Sequence, residues 1–384
     1  MSAAHLPVDT RDVEKVLFGM FMPQGWKMEL SSIDGAEAKW QTAVDVAIKI
    51  EELGYDSLWV YDHVHNVPKP AHEAVFECWT TLAAISQRTS RVRLGQMVGC
   101  NSYRQPGLLA KITSNVDVIS GGRLEWGIGA GWYENEYKGY GYEFPRPKER
   151  IGMLRETVEI VKSMWSAEET TFHGDHYSME RAQCDPKPLQ TPHPPIGVAG
   201  LSKGSDTLKL AGEKGYIPMS LNLNPAYVKS HWESVEIGAA KSGRTPDRNQ
   251  WRLVREVFVA DTDEEAMRLS VGSHMGRMMR EYFLPLLSQF GFFEYLKHDA
   301  GAADSDVTPE YCAKHNWIVG SPKTVVEKIE KIYEEVGGFG QLLVFGFDYV
   351  ENPQAWRRSL ELLSKEVMPK VQHLKPGMAK LAAE

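Results

Sequence analysis

The stretch Val92-Arg-Leu-Gly-Gln-Met-Val-Gly-Cys100, followed by Gln105–Ile119 and then Leu124-Glu-Trp-Gly-Ile-Gly129, decides the fold. Its two ends have the length and apolar content of buried strands, and the middle segment has the length of a helix. A strand, a helix and a strand in that order form a parallel pair joined by a crossover. The same unit repeats outward. Upstream, Val16–Met22 is a compact apolar run closed by Pro23, and Ala36–Leu53 is helical up to Gly54, a C-cap glycine. Ser57–Tyr61 and Trp79–Ser86 give the next strand and helix, and Arg150–Trp165 is the helix that follows Leu124–Gly129. Four strand–helix steps in about 165 residues have the spacing of a parallel sheet.

Beyond this point the alternation loosens. Residues 166–195 are rich in Pro, His, Gly and charge and read as an excursion before a fifth strand at Ile196–Ala199. Leu208–Lys214 is its helix, Ile217–Leu221 the sixth strand, Pro225–Lys241 the next helix and Arg252–Val259 the seventh strand. Trp317–Val319 is a short candidate strand, Lys323–Glu335 a helix, Gln341–Phe347 the last strand and Ala355–Val367 the last helix. Eight or nine strands alternating with helices favour an α/β protein of the closed (β/α)8 TIM-barrel type over an open doubly wound sheet. No linker interrupts the chain, so residues 1–384 read as one domain. Residues 263–315 are helical and aromatic-rich and too long for a crossover, which makes them a helical insertion late in the barrel. A lid fits it, and so does a structural hairpin or a subunit contact.

Composition narrows the function. The 384 residues carry 43 basic and 51 acidic side chains, a net charge of −8, with Lys and Arg dispersed, which argues against a nucleic-acid surface or a lipid-binding block. The longest apolar runs fall well short of the ~20 residues that span a bilayer. Residues 1–15 lack the apolar segment of a secretory signal. Cys78, Cys100, Cys184 and Cys312 form no CxxC pair and are too few for a disulfide framework. The expectation is a soluble, cytoplasmic enzyme with reduced thiols.

Barrel enzymes work at the C-terminal ends of their strands. The second strand ends in Tyr61-Asp62-His63-Val64-His65. An imidazole suits acid/base chemistry near neutral pH and the adjacent Asp62 could orient it; a loop histidine bound to backbone is the other reading. The His-x-His spacing also matches metal-dependent barrel hydrolases, but the further candidates His173 and His176 lie in the excursion, with Asp348 far downstream, so no metal set is assigned. The third strand leads into the polar loop Gly99–Arg104, where Asn101 and Ser102 could bond the edge of a flat ring. After the fourth strand, Gly127, Gly129 and Gly131 alternate ahead of Trp132 and Tyr133. This is not the dinucleotide fingerprint; it marks close backbone approach, either to a ligand or within a bulge. Gly200–Thr207 passes from the fifth strand straight into a helix, the setting of a phosphate site or of a plain N-cap. Arg123, Arg150 and Glu156 read as barrel-stabilising ion pairs.

Together these loops resemble the bacterial-luciferase-like superfamily of flavin-dependent oxidoreductases over about residues 15–370. The densest run is Ser120-Gly-Gly-Arg-Leu-Glu-Trp-Gly-Ile-Gly-Ala-Gly-Trp132, followed by Tyr140–Phe144, Arg150 and Met164-Trp165. Phe18–Trp26 is similar to deazaflavin-dependent proteins. Glu281–Pro285, Trp317–Pro322, Gly337–Gly340 through Phe347-Asp348, Arg357–Leu362 and Val367–Pro369 are similar to FMN-dependent enzymes of the limonene monooxygenase type.

The resemblance implies the oxygenase component of a two-component monooxygenase. Such a component uses reduced FMN, or alternatively a deazaflavin coenzyme, with O2 and a small hydrophobic substrate, and takes reduced flavin from an NAD(P)H-dependent reductase. It also implies a homodimer or higher oligomer, which the apolar helix Trp79–Ser86 suggests independently. It gives His63 the acid/base role and places a cis peptide at Met97–Val98 behind the flavin ring. It sets Asn101 at the ring edge with Gly131 and Trp132 beside it, and Gly200, Leu201, Ser202 and Ser205 around the phosphate. Trp26, with Phe283 and Phe293 of the insertion, walls the substrate pocket. A deazaflavin-dependent hydride-transfer enzyme, a metal-dependent hydrolase and a non-catalytic flavin-binding protein are the alternatives.

Overall fold

The computed structural model describes residues 15–346 and 351–376. Eight strands close into a ring: β1 (Leu17–Phe21), β2 (Ser57–Val60), β3 (Arg93–Gln96), β4 (Leu124–Gly129), β5 (Ile196–Gly200), β6 (Ile217–Ser220), β7 (Arg252–Val259) and β8 (Gln341–Phe345). Each pairs in parallel with its sequence neighbours, and β8 returns to β1 through Leu17 opposite Gln341. Crossover helices follow in the order α1 (Ala36–Glu52), α2 (Cys78–Ser86), α3 (Pro106–Ile119), α4 (Pro147–Ser166), α5 (Asp206–Lys214), α6 (Pro225–Lys241), α7 (Pro322–Val336) and α8 (Pro353–Leu362). This is the (β/α)8 barrel. With helices outside and side chains inside, every strand is covered on both faces, so the strands read as nearly continuous apolar runs. Among the described residues no helix is long and apolar enough to cross a membrane.

The barrel interior is filled from its own sequence. Trp59 is fully buried, and Gly19 and Gly95 on the neighbouring strands make room for it: an added Cβ would lie 2.8 and 2.5 Å from its indole. In the same interior Glu125 is clamped by Arg93 Nε at 2.7 Å and Arg252 Nη2 at 3.1 Å. These are the barrel's internal ion pairs. Arg123, expected to make one, instead donates to the carbonyls of Ser86, Thr89, Val92 and Ser120. Arg150 donates to the Pro145 carbonyl and lies over the Phe144 ring, while Glu156 accepts the amides of Asp175, His176 and Tyr177.

Four segments differ from the sequence expectation in instructive ways. The third strand is not continuous: after Gln96 the Met97–Val98 peptide is cis, and pairing with β4 resumes at Gly99 and Cys100. The glycines of β4 face this break, since a Cβ on Gly129 would sit 2.6 Å from the Val98 side chain. They serve close approach between two backbones. The excursion holds an antiparallel hairpin, Thr170–His173 with Ser178–Ala182. The short candidate strand, observed as Ile318–Gly320, is an edge strand on the end of β7 and stands outside the ring. The last strand is described only to Phe345, and Phe347 and Asp348 lie outside the described residues.

Between β7 and Ile318 the chain forms several short helices, Asp263–Gly272, His274–Met278, Leu284–Gln289 and Pro309–His315 among them. Met279–Phe283 is a π turn. Pro285 has no amide to offer residue 281, which loosens the helix at this point. The turn directs Tyr282 and Phe283 toward the barrel mouth.

Candidate active site

A cavity of about 390 Å3 opens at the C-terminal ends of the strands. The barrel contributes Tyr61, His63, Met97, Val98, Gly131, Trp132, Gly200, Leu201 and Phe345 to its wall, and the 263–315 segment closes it with Met279, Tyr282, Phe283, Phe290 and Phe292 among others.

His63 sits at one corner, just beyond β2. Its Nδ1 is 2.8 Å from Glu136 Oε2, which leaves Nε2 without a hydrogen-bond partner among the described residues. Glu136 comes from the short helix Glu134–Gly139 and is completely buried. Its two oxygens also accept from the amides of Val64 (2.7 Å) and His65 (3.0 Å) and from the Tyr103 hydroxyl (2.8 Å). Burial pushes the Glu136 carboxyl up, but the His63, His65 and Tyr103 hydrogen bonds outweigh it and hold the group below the usual carboxylate range. An ionised carboxylate on Nδ1 fixes the tautomer and the ring plane. The Trp26 indole, stacked 4.2 Å away and 5° from parallel, fixes the other face.

This overturns the idea that Asp62 orients His63. Asp62 points the opposite way, taking a two-pronged bond from Arg104 (2.7 and 3.0 Å) and the Cys100 amide (2.8 Å). Arg104 binds Glu77 as well, so the Asp62–Glu77–Cys78 group, whose ligand atoms have metal-compatible spacing, already surrounds a guanidinium. His65 turns its ring toward Gly139 and Tyr140, away from the atoms that His63 uses.

Trp26 is held by a loop that Gly25 makes possible. Gly25 has φ +93°, and any Cβ there would run into the Ala74 carbonyl. Glu29 accepts the amides of Gln24 (3.0 Å) and Lys27 (2.6 Å), and the Trp26 carbonyl receives the Val67 amide. The buried Lys27 ammonium lies 4.4 Å from the Tyr61 ring centre and 4.7 Å from that of Phe345. Burial lowers its pKa to about 8 despite the nearby Glu29.

On the opposite wall, β5 ends in Gly200 and Leu201 and enters α5. Both residues line the cavity, as does Thr207, the last residue of the Gly200–Thr207 stretch. Ser202 and Ser205 are not on the wall. The Ser205 hydroxyl caps α5 by accepting the Leu208 amide at 3.3 Å and meets Thr207 Oγ1 at 2.9 Å. His231 braces the loop from below, with Nε2 3.2 Å from the Leu201 carbonyl and Nδ1 3.0 Å from Ser220 Oγ.

Burial lowers the His231 pKa to about 4, so the folded chain holds it neutral where an unfolded chain would protonate it. The folded pKa is depressed, so this contribution is fully present above about pH 6.5 and is lost as pH falls toward 4. In urea melts at pH 7 and 4.5, His231→Gln is expected to lose less stability on acidification than the parent. Equal losses would show that His231 is not the group concerned.

The remaining sequence candidates divide. Met97, Val98, Gly131, Trp132, Trp26 and Phe283 meet at the cavity with His63. Asn101 is fully buried and off the wall, its amide nitrogen facing the carbonyls of Gly129 (3.0 Å) and Ala130 (3.3 Å). Phe293 packs against the core, and its neighbours Phe290 and Phe292 reach the cavity instead.

Residues 17–338 match the family model of the luciferase-like monooxygenases. The chain is 30% identical to 3,6-diketocamphane 1,6-monooxygenase of Pseudomonas putida over 88% of its own length and 94% of that protein's. It is 27% identical to limonene 1,2-monooxygenase of Rhodococcus erythropolis, covering 94% and 88%. It is also 27% identical to an F420-dependent glucose-6-phosphate dehydrogenase of Amycolatopsis mediterranei, covering 86% and 94%. The solved oxygenating constituent of 3,6-diketocamphane monooxygenase from P. putida, a type II Baeyer-Villiger monooxygenase in complex with FMN, superimposes with a TM-score of 0.82 at 29% identity, covering 93% of this chain and 99% of that one. With the barrel and its C-terminal cavity in place, the chain belongs to the luciferase-like monooxygenases and is a flavin-dependent oxidoreductase.

Proposed function

We propose that the chain is the oxygenase component of a two-component monooxygenase that uses reduced FMN and O2 on a hydrophobic organic substrate. The observation that carries this reading is the His63–Glu136 pair set in an otherwise apolar cavity at the barrel mouth. The donor set fits a flavin: the Met97–Val98 turn and Gly131 offer backbone to a flat ring, while Gly200 and Leu201 lead into the N-terminus of α5, where amides and the helix dipole suit a phosphate. Ser202 and Ser205 belong to this cradle, Ser205 through its backbone because its hydroxyl is already a cap.

When bound, reduced FMN supplies the electrons with which O2 is activated. The chain's own residues do the rest. Glu136 holds the His63 ring so that Nε2 can give or take a proton, Trp26 and Trp132 flank it, and the Phe283, Phe290 and Phe292 side chains keep water from the reacting centre. The 263–315 segment acts as the lid over the site. The solved relative is the oxygenating constituent of its enzyme. That supports a separate NAD(P)H-dependent reductase as the partner. The four buried free thiols suit a reducing, cytoplasmic setting. For a homodimer the supporting surface is on α3, which exposes Leu108 and Ile119, with Leu189 exposed where its amide bonds Asp117 of the same helix; Trp79, Leu82 and Ile85 of α2 are already buried within the chain.

Titration of the chain with reduced FMN, reduced riboflavin and reduced F420 tests the reading. FMN is expected to bind at least tenfold more tightly than riboflavin. Equal affinities would remove the phosphate cradle, and tighter binding of F420 would favour the second reading, deazaflavin-dependent hydride transfer, which the F420-dependent relative supports.

A further inference from the structure

Most polar side chains around the cavity serve their own protein neighbours. Tyr103 donates to Glu136, Thr207 to the Ala199 carbonyl, and Asp62 is held by Arg104. Asn222 is divided. It lies just beyond β6 and lines the cavity, and its Nδ2 donates to Glu256 Oε1. Its Oδ1 has no hydrogen-bond partner among the described residues. One arm of the amide is committed to the protein and the other is free.

Glu256 accounts for that division. It stands on β7 opposite Phe345 of β8, another cavity residue, and on the strand side that Arg252 takes into the barrel interior. It is 1% exposed, and its Oε2 has no hydrogen-bond partner among the described residues. The ionisable groups that bear on it are Arg255, its neighbour in the strand, and the Cys312 thiol of the Pro309–His315 helix. Arg255 spends its Nη1 on the carbonyls of Leu221 and Val254. Burial outweighs the help of Asn222 and Arg255 and pushes the Glu256 carboxyl up to about 7. Neither Asn222 nor Glu256 belongs to the acid/base corner at His63.

We propose that Glu256 is a positioning residue that holds the Asn222 amide with its oxygen toward the cavity, and that this oxygen selects hydrophobic ligands carrying a hydroxyl group. A carboxylate can only accept, so it must face Nδ2 and leave Oδ1 outward. A ligand O–H then finds an acceptor there, whereas a hydrocarbon of the same shape leaves that oxygen unpaired. A protonated carboxyl can either accept from Nδ2 or donate to Oδ1, which opens both orientations of the amide. The hydroxyl preference is therefore full above about pH 7 and declines as pH falls through it. This inference rests on the cavity being the substrate site, as proposed above, and adds to it a polar contact that responds to pH.

The test is NMR titration of the full chain, with and without FMN, using cyclooctanol and cyclooctane at pH 8.5 and 5.5. The quantity read is the ratio of the two affinities, alcohol over hydrocarbon. Asn222→Leu is expected to lower this ratio about tenfold at the higher pH, the worth of one hydrogen bond of about 1.4 kcal/mol. In the parent the ratio should fall about threefold between the two pH values, as the competent orientation loses population. In Glu256→Gln it should stay near the parent's lower value at both. Glutamine is neutral, like the protonated acid, so burial does not penalise it and the variant keeps its fold. A ratio that Asn222→Leu leaves unchanged would overturn the proposal. So would a pH dependence that Glu256→Gln retains, because another group would then be titrating. The expected ratios in a chain that fails to bind FMN would keep this inference and remove the flavin reading. FMN binding with ratios that never move would do the reverse.

Discussion

His63→Asn is expected to lower turnover by on the order of 10²-fold while FMN affinity stays within about twofold. Asparagine can still receive or offer a hydrogen bond toward Glu136, and it fills part of the space under Trp26, so the cavity wall survives. What it cannot do is exchange a proton at the position of Nε2, the one ring atom that Glu136 leaves uncommitted. A hundredfold corresponds to about 2.7 kcal/mol of lost transition-state stabilisation. Steady-state kinetics with a supplied flavin reductase, set beside an FMN titration, measures both quantities. An unchanged kcat would refute the assignment, and a parallel collapse of FMN affinity would show that His63 serves binding. Glu136→Gln separates orientation from charge: it keeps an oxygen for Nδ1 and removes the negative charge beside it.

The second large effect concerns the barrel itself. Glu125→Leu is expected to destabilise the chain by about 3–5 kcal/mol, because it takes their shared carboxylate from two buried guanidinium groups. Arg93 would keep the Leu124 carbonyl at 3.1 Å and Gln190 Oε1 at 2.9 Å, and Arg252 the Gln250 carbonyl at 3.0 Å, but both would lose the carboxylate that bridges them. Burial alone drives the Glu125 carboxyl upward, and Arg252 and Arg93 reverse the shift and hold it below the ordinary range, which marks the strength of the coupling. Denaturant midpoints of the single variant and of a triple variant with Arg93→Leu and Arg252→Leu provide the check. The single variant should fall well below the parent, and the triple should recover part of the loss. A midpoint unchanged in Glu125→Leu would mean that water reaches the barrel interior and solvates the arginines.

The barrel was legible because strands covered on both faces must be apolar throughout, and such runs stand out between helices with glycine and proline at their ends. The break in the third strand was not visible in hydrophobic pattern, since Met97 and Val98 are as apolar as their neighbours; only the resemblance located it. The site was legible where position along a strand settled the matter, as for His63 and Leu201. It failed where a side chain had already been claimed. Ser205 looked like a phosphate ligand but spends its hydroxyl on its own helix, and Asn101 binds the backbone of β4. The partner of His63 was hidden for a different reason. Neighbours in extended chain point in opposite directions, so Asp62 could not be it. The carboxylate that meets the ring lies 73 residues on, in a six-residue helix whose Glu-Asn-Glu start reads as a solvated turn.

The four cysteines have a consequence for a chain whose family handles oxygen. All are buried, and burial pushes each thiol upward: Cys78 well above its usual value, Cys184 upward, and Cys100 and Cys312 to about 12. Cys100 stands on the wall of the cavity itself, where a hydrogen bond with Tyr137 at 3.0 Å holds its sulfur in place. Peroxides attack thiolates, and at neutral pH none of these sulfurs is one. A peroxide that arose in the cavity would therefore meet no reactive thiol among the four cysteines of the folded chain.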